Sequence, residues 1–202
     1  MKIAILIEGE TEKVFLACIR DFLNARLAGR MPRLVPSKYD GRIPKGEKLR
    51  RRVEALLRGP EPDADHVIAL TDVYTGSQDF TDAADAKRQM REWVGPDRRF
   101  HPHAAQYDFE AWLLPYWSDI QQIAKHNRTA PAGRPELVNH DHPPSYHIKE
   151  IFRTGQGPRD YIKTRDAKRI LQGKDLKVAA AACPELKAFL NTILELCGGE
   201  AL

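Results

Sequence analysis

Met1 to Leu16, MKIAILIEGETEKVFL, decide the fold, because an apolar strand gives way to a helix there with a carboxylate at the break. Ile3, Ala4, Ile5, Leu6 and Ile7 form an apolar run without polar alternation, the pattern of a strand covered on both faces. That pattern predicts a central parallel strand. Gly9 allows a sharp turn, Thr11 is a candidate N-cap, and Val14, Phe15, Cys18, Ile19, Phe22 and Leu23 recur at helical spacing. A helix over 12–25 follows, and Glu8 is left at the carboxyl end of the strand. In an open α/β sheet, ligands and metals gather at that rim, where strand ends and loops share a crevice.

Outward from this unit, 34–39 is a short second extended segment, closed by the Asp40-Gly41 loop and Pro44. Leu49, Val53, Leu56 and Leu57 keep helical spacing among arginines until Gly59-Pro60. The apolar run HVIAL, 66–70, is a third strand and ends at Thr71 and Asp72, which puts a second carboxylate at a strand end. A helix over 81–94, capped by Thr81, is closed by Gly95-Pro96. A fourth extended segment over 100–107, in spite of Pro102, leads into Asp108 and Glu110. Strands alternating with helices predict a parallel sheet of about four strands in an α/β sandwich. Beyond Trp117 come loops and short helices near 145–152, 166–172, 175–182 and 185–196. Leu186, Phe189, Leu190, Ile193 and Leu194 make the last one amphipathic, so it should pack on the sheet. The expected organisation is an α/β core over 1–115 and a helical extension over 116–202 packed against it as a single unit.

The 202 residues suffice for one substantial core. No apolar run approaches the roughly 20 residues of a membrane span, and the short run ending in Glu8 is no signal peptide, so no membrane role and a cytoplasmic location are expected. Cys18, Cys183 and Cys197 lack metal-ligand spacing and read as reduced thiols. The net charge of +4 is mild, but the basic residues cluster at 45–52, at Arg98 and Arg99, and over 159–169. Local Lys and Arg density points to a polyanion, DNA or RNA. Lys149, Lys163, Arg165 and Lys168 are the candidate phosphate contacts. The histidines at His101 and His103, and at His140 and His142, lack the spacing of metal ligands.

Glu8, Asp72 and Glu110, with Asp108 beside the last, are far apart in the chain, yet parallel strands would carry them to one edge. Hard oxygen donors gathered there suit Mg²⁺ or Mn²⁺, which keeps several waters and takes few protein carboxylates. Such an ion lowers the pKa of a water and stabilises charge developing on a phosphodiester.

EGETEK at 8–13, TDVYTG at 71–76, QYDFEAWLL at 106–114, PELVN at 135–139 and PPSYHIKEIF at 143–152 together span most of the chain. They resemble the Toprim-like proteins encoded beside ABC-type ATPases in bacterial anti-phage loci, relatives of the Toprim nucleases of the overcoming-lysogenisation-defect group. The resemblance implies a Toprim-like Rossmannoid sheet and a metal-dependent nuclease, serving antiviral defence with an ABC-type ATPase partner. By it, Glu8 matches the Toprim glutamate and Asp72 the first Asp of the Asp-x-Asp pair. Tyr74 occupies the second position, a departure that leaves the acidic set one carboxylate short, since neutral tyrosine is a poor Mg²⁺ ligand. Glu110 or Asp108 could replace it, with Asp79 and Asp82 in reserve. The alternative is a catalytically inactive binding or sensor module that docks on the ATPase.

Overall fold

The computed structural model describes residues 1–39, 41–60, 62–73, 79–138 and 142–202. Four strands form one parallel sheet: β1 (Lys2–Ile7), β2 (Arg33–Lys38), β3 (His66–Asp72) and β4 (Phe100–Ala105), in the order β2-β1-β3-β4. The two strands read as continuous apolar runs, β1 and β3, are the inner ones, as burial on both faces requires. β2 and β4 each carry a proline, Pro36 and Pro102, and both lie at sheet edges, where a missing N–H costs least.

Alternation along β1 divides its side chains between two cores. Ala4 and Leu6 face a layer formed by α2 (Gly46–Arg58) and α3 (Ala83–Val94), packed with Leu49, Val53, Leu56, Ala86 and Met90. Ile3, Ile5 and Ile7 face α1 (Glu10–Leu27), buried with Phe15, Ile19 and Leu23. The remaining helices close over this second face: α4 (Trp117–Ala124), α5 (Pro144–Thr154), α6 (Lys163–Leu171), α7 (Leu176–Ala182) and α8 (Pro184–Leu196). Leu186, Phe189, Leu190, Ile193 and Leu194 of α8 join the same buried cluster as β1, so the last helix packs on the sheet side as its apolar stripe requires.

Local signals differ from the sequence reading at several points. Helix α1 starts at Glu10 with Gly9 as its N-cap, and Thr11 is buried inside the first turn instead of capping it. Asp82, not Thr81, caps α3: its side chain accepts the Asp85 N–H at 2.7 Å, and Asp85 in turn accepts the Thr81 N–H at 3.1 Å. The 3-10 turns at Phe109–Trp112 and Leu114–Tyr116 escape the sequence reading because their apolar residues are too densely spaced to show a period, and helix α4 escapes it because its helical spacing of Trp117, Ile120 and Ala124 runs for only eight residues. All three cysteines are free thiols, and no helix is long and apolar enough to cross a membrane among the described residues.

Candidate functional site

The parallel register carries the acids to one edge. Ile7 pairs with Lys38 and Asp72 with Ala105 at the last rungs of the sheet, so Glu8 leaves β1 at the same end at which Asp72 closes β3. After β4 the chain turns at Tyr107, a buried residue with φ of 70°, in the left-handed region that a bulky side chain rarely adopts. That turn brings Asp108 and the 3-10 turn containing Glu110 back over the strand ends. Thr71 donates its hydroxyl hydrogen to Glu8 Oε1, and the Asp72 backbone also donates to the Glu8 carboxylate. The Ser145 N–H, at the start of α5, donates to Asp108 Oδ2 at 3.1 Å. Lys163, the first residue of α6, places Nζ 3.1 and 3.2 Å from the two oxygens of Glu110.

A fifth acid joins them. Glu12, in the first turn of α1, is 8% exposed and sits close enough to the strand end for a Cβ on Gly9 to approach its Oε2 at 3.2 Å. The sequence reading treated it as an ordinary helix residue. Its spacing of four from Glu8, across a strand-to-helix turn, was the signal available.

Burial and mutual repulsion leave this cluster short of positive charge. Desolvation pushes the Glu8 carboxyl up to about 7, against the pull of Thr71, with Glu12 adding repulsion. Desolvation and then the neighbouring Glu110 raise Asp108 to about 7. Asp72 is pushed well above the ordinary carboxylate range by burial and by Glu8, Glu12, Asp108 and Glu110 in turn, and Glu12 is raised by burial and by Glu110. Burial opposes the charge on Lys163, yet Glu110, Asp72 and Asp108 outweigh it and raise its pKa. The lysine stem leaves 44% of the side chain in solvent while the ammonium reaches inward. Buried Asp108 Oδ1 has no hydrogen-bond partner, and the buried Tyr161 hydroxyl lies against Glu110 without a well-formed bond.

Glu8, Asp72, Asp108 and Glu110 therefore interact, with Lys163 from the C-terminal third among them, but they do not line an open cleft. Asp108 is 4% exposed and Glu110 fully buried, because the 3-10 turn folds them beneath α5 and α6. The larger cavities, of about 670 and 560 Å³, are lined by none of these acids. Among the described residues no group of three or more His, Cys, Asp and Glu side chains is disposed to hold a metal ion as it stands. The donor chemistry, oxygens only and undercompensated, nevertheless fits a hard divalent ion.

Other candidates fall elsewhere. Arg165 is paired with the buried Asp166 at 3.1 Å, which Arg159 also holds at 2.7 and 2.9 Å, so its guanidinium supports the α6 start instead of meeting the acids. Lys149 and Lys168 are exposed on α5 and α6. Asp79 pairs with Arg42 and with Lys45, and Asp82 is the α3 cap, so neither reserve acid is free. His103 is buried against Phe189 and bonded to Thr192 at 3.0 Å, while His101 meets His66 at 3.2 Å near the other end of the sheet. Tyr74, His140 and Asp141 lie outside the described residues.

Comparison with a solved structure supports the fold. The C-terminal region of the Burkholderia pseudomallei OLD protein superposes with a TM-score of 0.54 at 13% identity, over 97% of this chain and 98% of that one. The C-terminal region of the Xanthomonas campestris pv. campestris OLD protein gives 0.47 at 13% identity, over 97% of this chain and 96% of that one. The sheet is thus the Toprim-like parallel α/β architecture expected from the sequence. A search of curated protein sequences gives no match. A family model described as a domain of unknown function, DUF4276, matches residues 7–194, and the chain belongs to that family.

Proposed function

We propose that this chain is a divergent Toprim-type nuclease that hydrolyses phosphodiesters of DNA or RNA with Mg²⁺ or Mn²⁺. The observation that carries the reading is the convergence of Glu8, Asp72, Asp108 and Glu110, joined by Glu12, at one sheet edge with the Lys163 ammonium inserted among them and Arg42 near enough to act on Glu8. Carboxylates gathered so that burial and repulsion disfavour their charge cost stability, which a fold has no reason to bear unless a cation completes the site. Glu8, Asp72 and Asp108 would hold the ion, with Glu12 and Glu110 beside them. When bound, the ion supplies an activated water and stabilises charge on the phosphate. Thr71 and the Asp72 backbone fix the Glu8 carboxylate, the Ser145 N–H fixes Asp108, and Lys163 lies where it can hold a phosphate oxygen next to Glu110. Family resemblance adds an anti-phage setting and an ABC-type ATPase that gates the activity.

Plasmid, single-stranded DNA and RNA, incubated with Mg²⁺ or Mn²⁺ with and without the ATPase, test the reading. Glu8→Ala and Asp72→Ala should each lower cleavage by at least about 100-fold, the scale of losing one charge-stabilising group. Cleavage at wild-type rates in both variants refutes the assigned site.

The second reading, a catalytically silent binding or sensor module, is favoured by the burial of Asp108 and Glu110 and by the ion pair that already neutralises Glu110. Calorimetry discriminates: no Mg²⁺ or Mn²⁺ affinity, even with nucleic acid present, selects the binding module.

A further inference from the structure

Charge on much of the surface is matched locally. Arg50 and Arg51 pair with Glu47, Arg88 with Asp85 and Glu92, Arg153 with Glu150, and Lys87 with Glu185. One region departs from this. Between the end of α1, α7 and α8 lies a cavity of about 670 Å³ whose charged lining is Arg26, Arg30, Lys177 and Lys187 against one acidic side chain, Glu200. Its volume falls within the roughly 300–1,000 Å³ of ligand pockets.

The two arginines are oriented largely by carbonyls, with one carboxylate, Asp175, at the edge of reach of Arg26. Arg26 stacks 3.6 Å from the Phe22 ring centroid and donates to Phe22 O at 3.1 Å, with Asp175 Oδ1 as far as 3.5 Å away. Arg30 donates to Leu27 O at 3.3 Å and also to Gly198 O. Carbonyl contacts orient a guanidinium without cancelling its charge, so remaining N–H donors are ready for a planar oxyanion. Lys177 and Lys187 are exposed and form no ion pair with a described residue. Like charges collected this way repel one another, and a bound polyanion relieves that repulsion.

Arg26 also lines a second cavity, of about 560 Å³, between α1 and α6. This groove begins at Val14, half a turn beyond Glu12, has Leu171 and Cys18 as apolar lining, and carries Arg26, Lys168 and Lys174 against Asp21 and Asp175, with Lys174 itself paired to Asp119 at 2.5 Å. Its run along α1 to Arg26 covers about 18 Å at the helical rise. A track of mixed apolar and charged character, with Lys168 as its cation outside any ion pair with a described residue, therefore leads from the acidic cluster to the basic cavity.

We infer that the cavity between α1, α7 and α8 binds the phosphates of a nucleic-acid strand, at a site separated from the acidic cluster by the length of α1. A strand is favoured over a free nucleotide because the four basic side chains are spread across the cavity and a further cation, Lys168, stands along the groove toward Glu12 and Lys163. The inference rests on the nucleic-acid reading above and adds the path the strand takes.

Fluorescence anisotropy tests it with a fluorescein-labelled single-stranded DNA 12-mer, an RNA 12-mer and labelled ATP, in EDTA across a series of NaCl concentrations. The variant Lys177→Ala/Lys187→Ala should weaken oligonucleotide binding about tenfold and flatten the log–log salt slope by about 1.4, two phosphate contacts' worth. The charge-conserving Lys177→Arg/Lys187→Arg should retain both, and Arg88→Ala on α3, a residue paired with Asp85 and Glu92, should change neither. Unchanged affinity and slope in the double alanine variant overturn the site, as does a loss confined to ATP, which would assign the cavity to free nucleotides. The assay reads binding without catalysis. Absent cleavage with Lys177/Lys187-dependent binding refutes the nuclease and keeps the phosphate site, whereas intact cleavage with unchanged binding does the reverse.

Discussion

Glu8→Gln is expected to stabilise the metal-free protein at pH 8 and to leave it no more stable at pH 5. The folded-state carboxyl has its pKa raised from 4.5 to about 7, foremost by desolvation. Between these values the folded chain holds a proton that the unfolded chain has released, so stability is fully present below about pH 4.5 and is lost as pH rises through about 7. At about 1.4 kcal/mol per pK unit the loss at pH 8 is roughly 3 kcal/mol, part of it shared with Glu12 and Asp72. Glutamine keeps an acceptor for Thr71 but gives up one hydrogen bond, about 1 kcal/mol. The net gain is about 2 kcal/mol at pH 8, or about 4–8 °C in Tm for a domain of this size. At pH 5 the folded carboxyl is protonated but the unfolded one is already mostly ionised, so about 0.8 kcal/mol of the penalty remains and offsets most of the lost hydrogen bond, and Tm should change by less than about 1 °C. Thermal melts in EDTA at the two pH values, followed by circular dichroism, measure both. Added Mg²⁺ should raise Tm of the wild type more than that of the variant, since an ion that binds only the folded state stabilises it by mass action. An equal drop in Tm at pH 5 and pH 8 would refute the reasoning, because it would mean that Glu8 is ionised and paired at both.

Lys163→Met should destabilise by about 1–3 kcal/mol by stranding the buried Glu110 carboxylate, and the double variant Lys163→Met/Glu110→Gln should recover most of it in chemical denaturation. A single variant no less stable than wild type would show that the pair is not holding the turn. Asp82→Ala should cost about 1 kcal/mol as the loss of the α3 cap, while Thr81→Ala should stay within about 0.5 kcal/mol. Urea titration separates the two, and the reverse order would restore Thr81 as the cap.

Much of the architecture is legible in local pattern. The unbroken apolar runs of β1 and β3 announce inner parallel strands because only a strand covered on both faces lacks alternation. The prolines of β2 and β4 made those segments the weakest to read, and the sheet edge is the reason they are tolerated. Cap identity was misread at both α1 and α3, since a Ser, Thr or Asp near a helix start names several candidates and only side-chain geometry chooses among them.

Sequence by itself determined the strand ends, and with them the placement of Glu8 and Asp72, because backbone pairing in a parallel sheet leaves each strand's carboxyl end on one edge. It also located Lys163 as a basic residue of the C-terminal third. Only the tertiary structure decided that Glu12 belongs to the cluster, that Glu110 is shut in with Lys163, and that Arg165 is taken up by Asp166. The physical reason is that strand register follows from periodicity along the chain. The charge state and accessibility of a side chain depend instead on what folds over it, and here that is α5 and α6, elements more than thirty residues away.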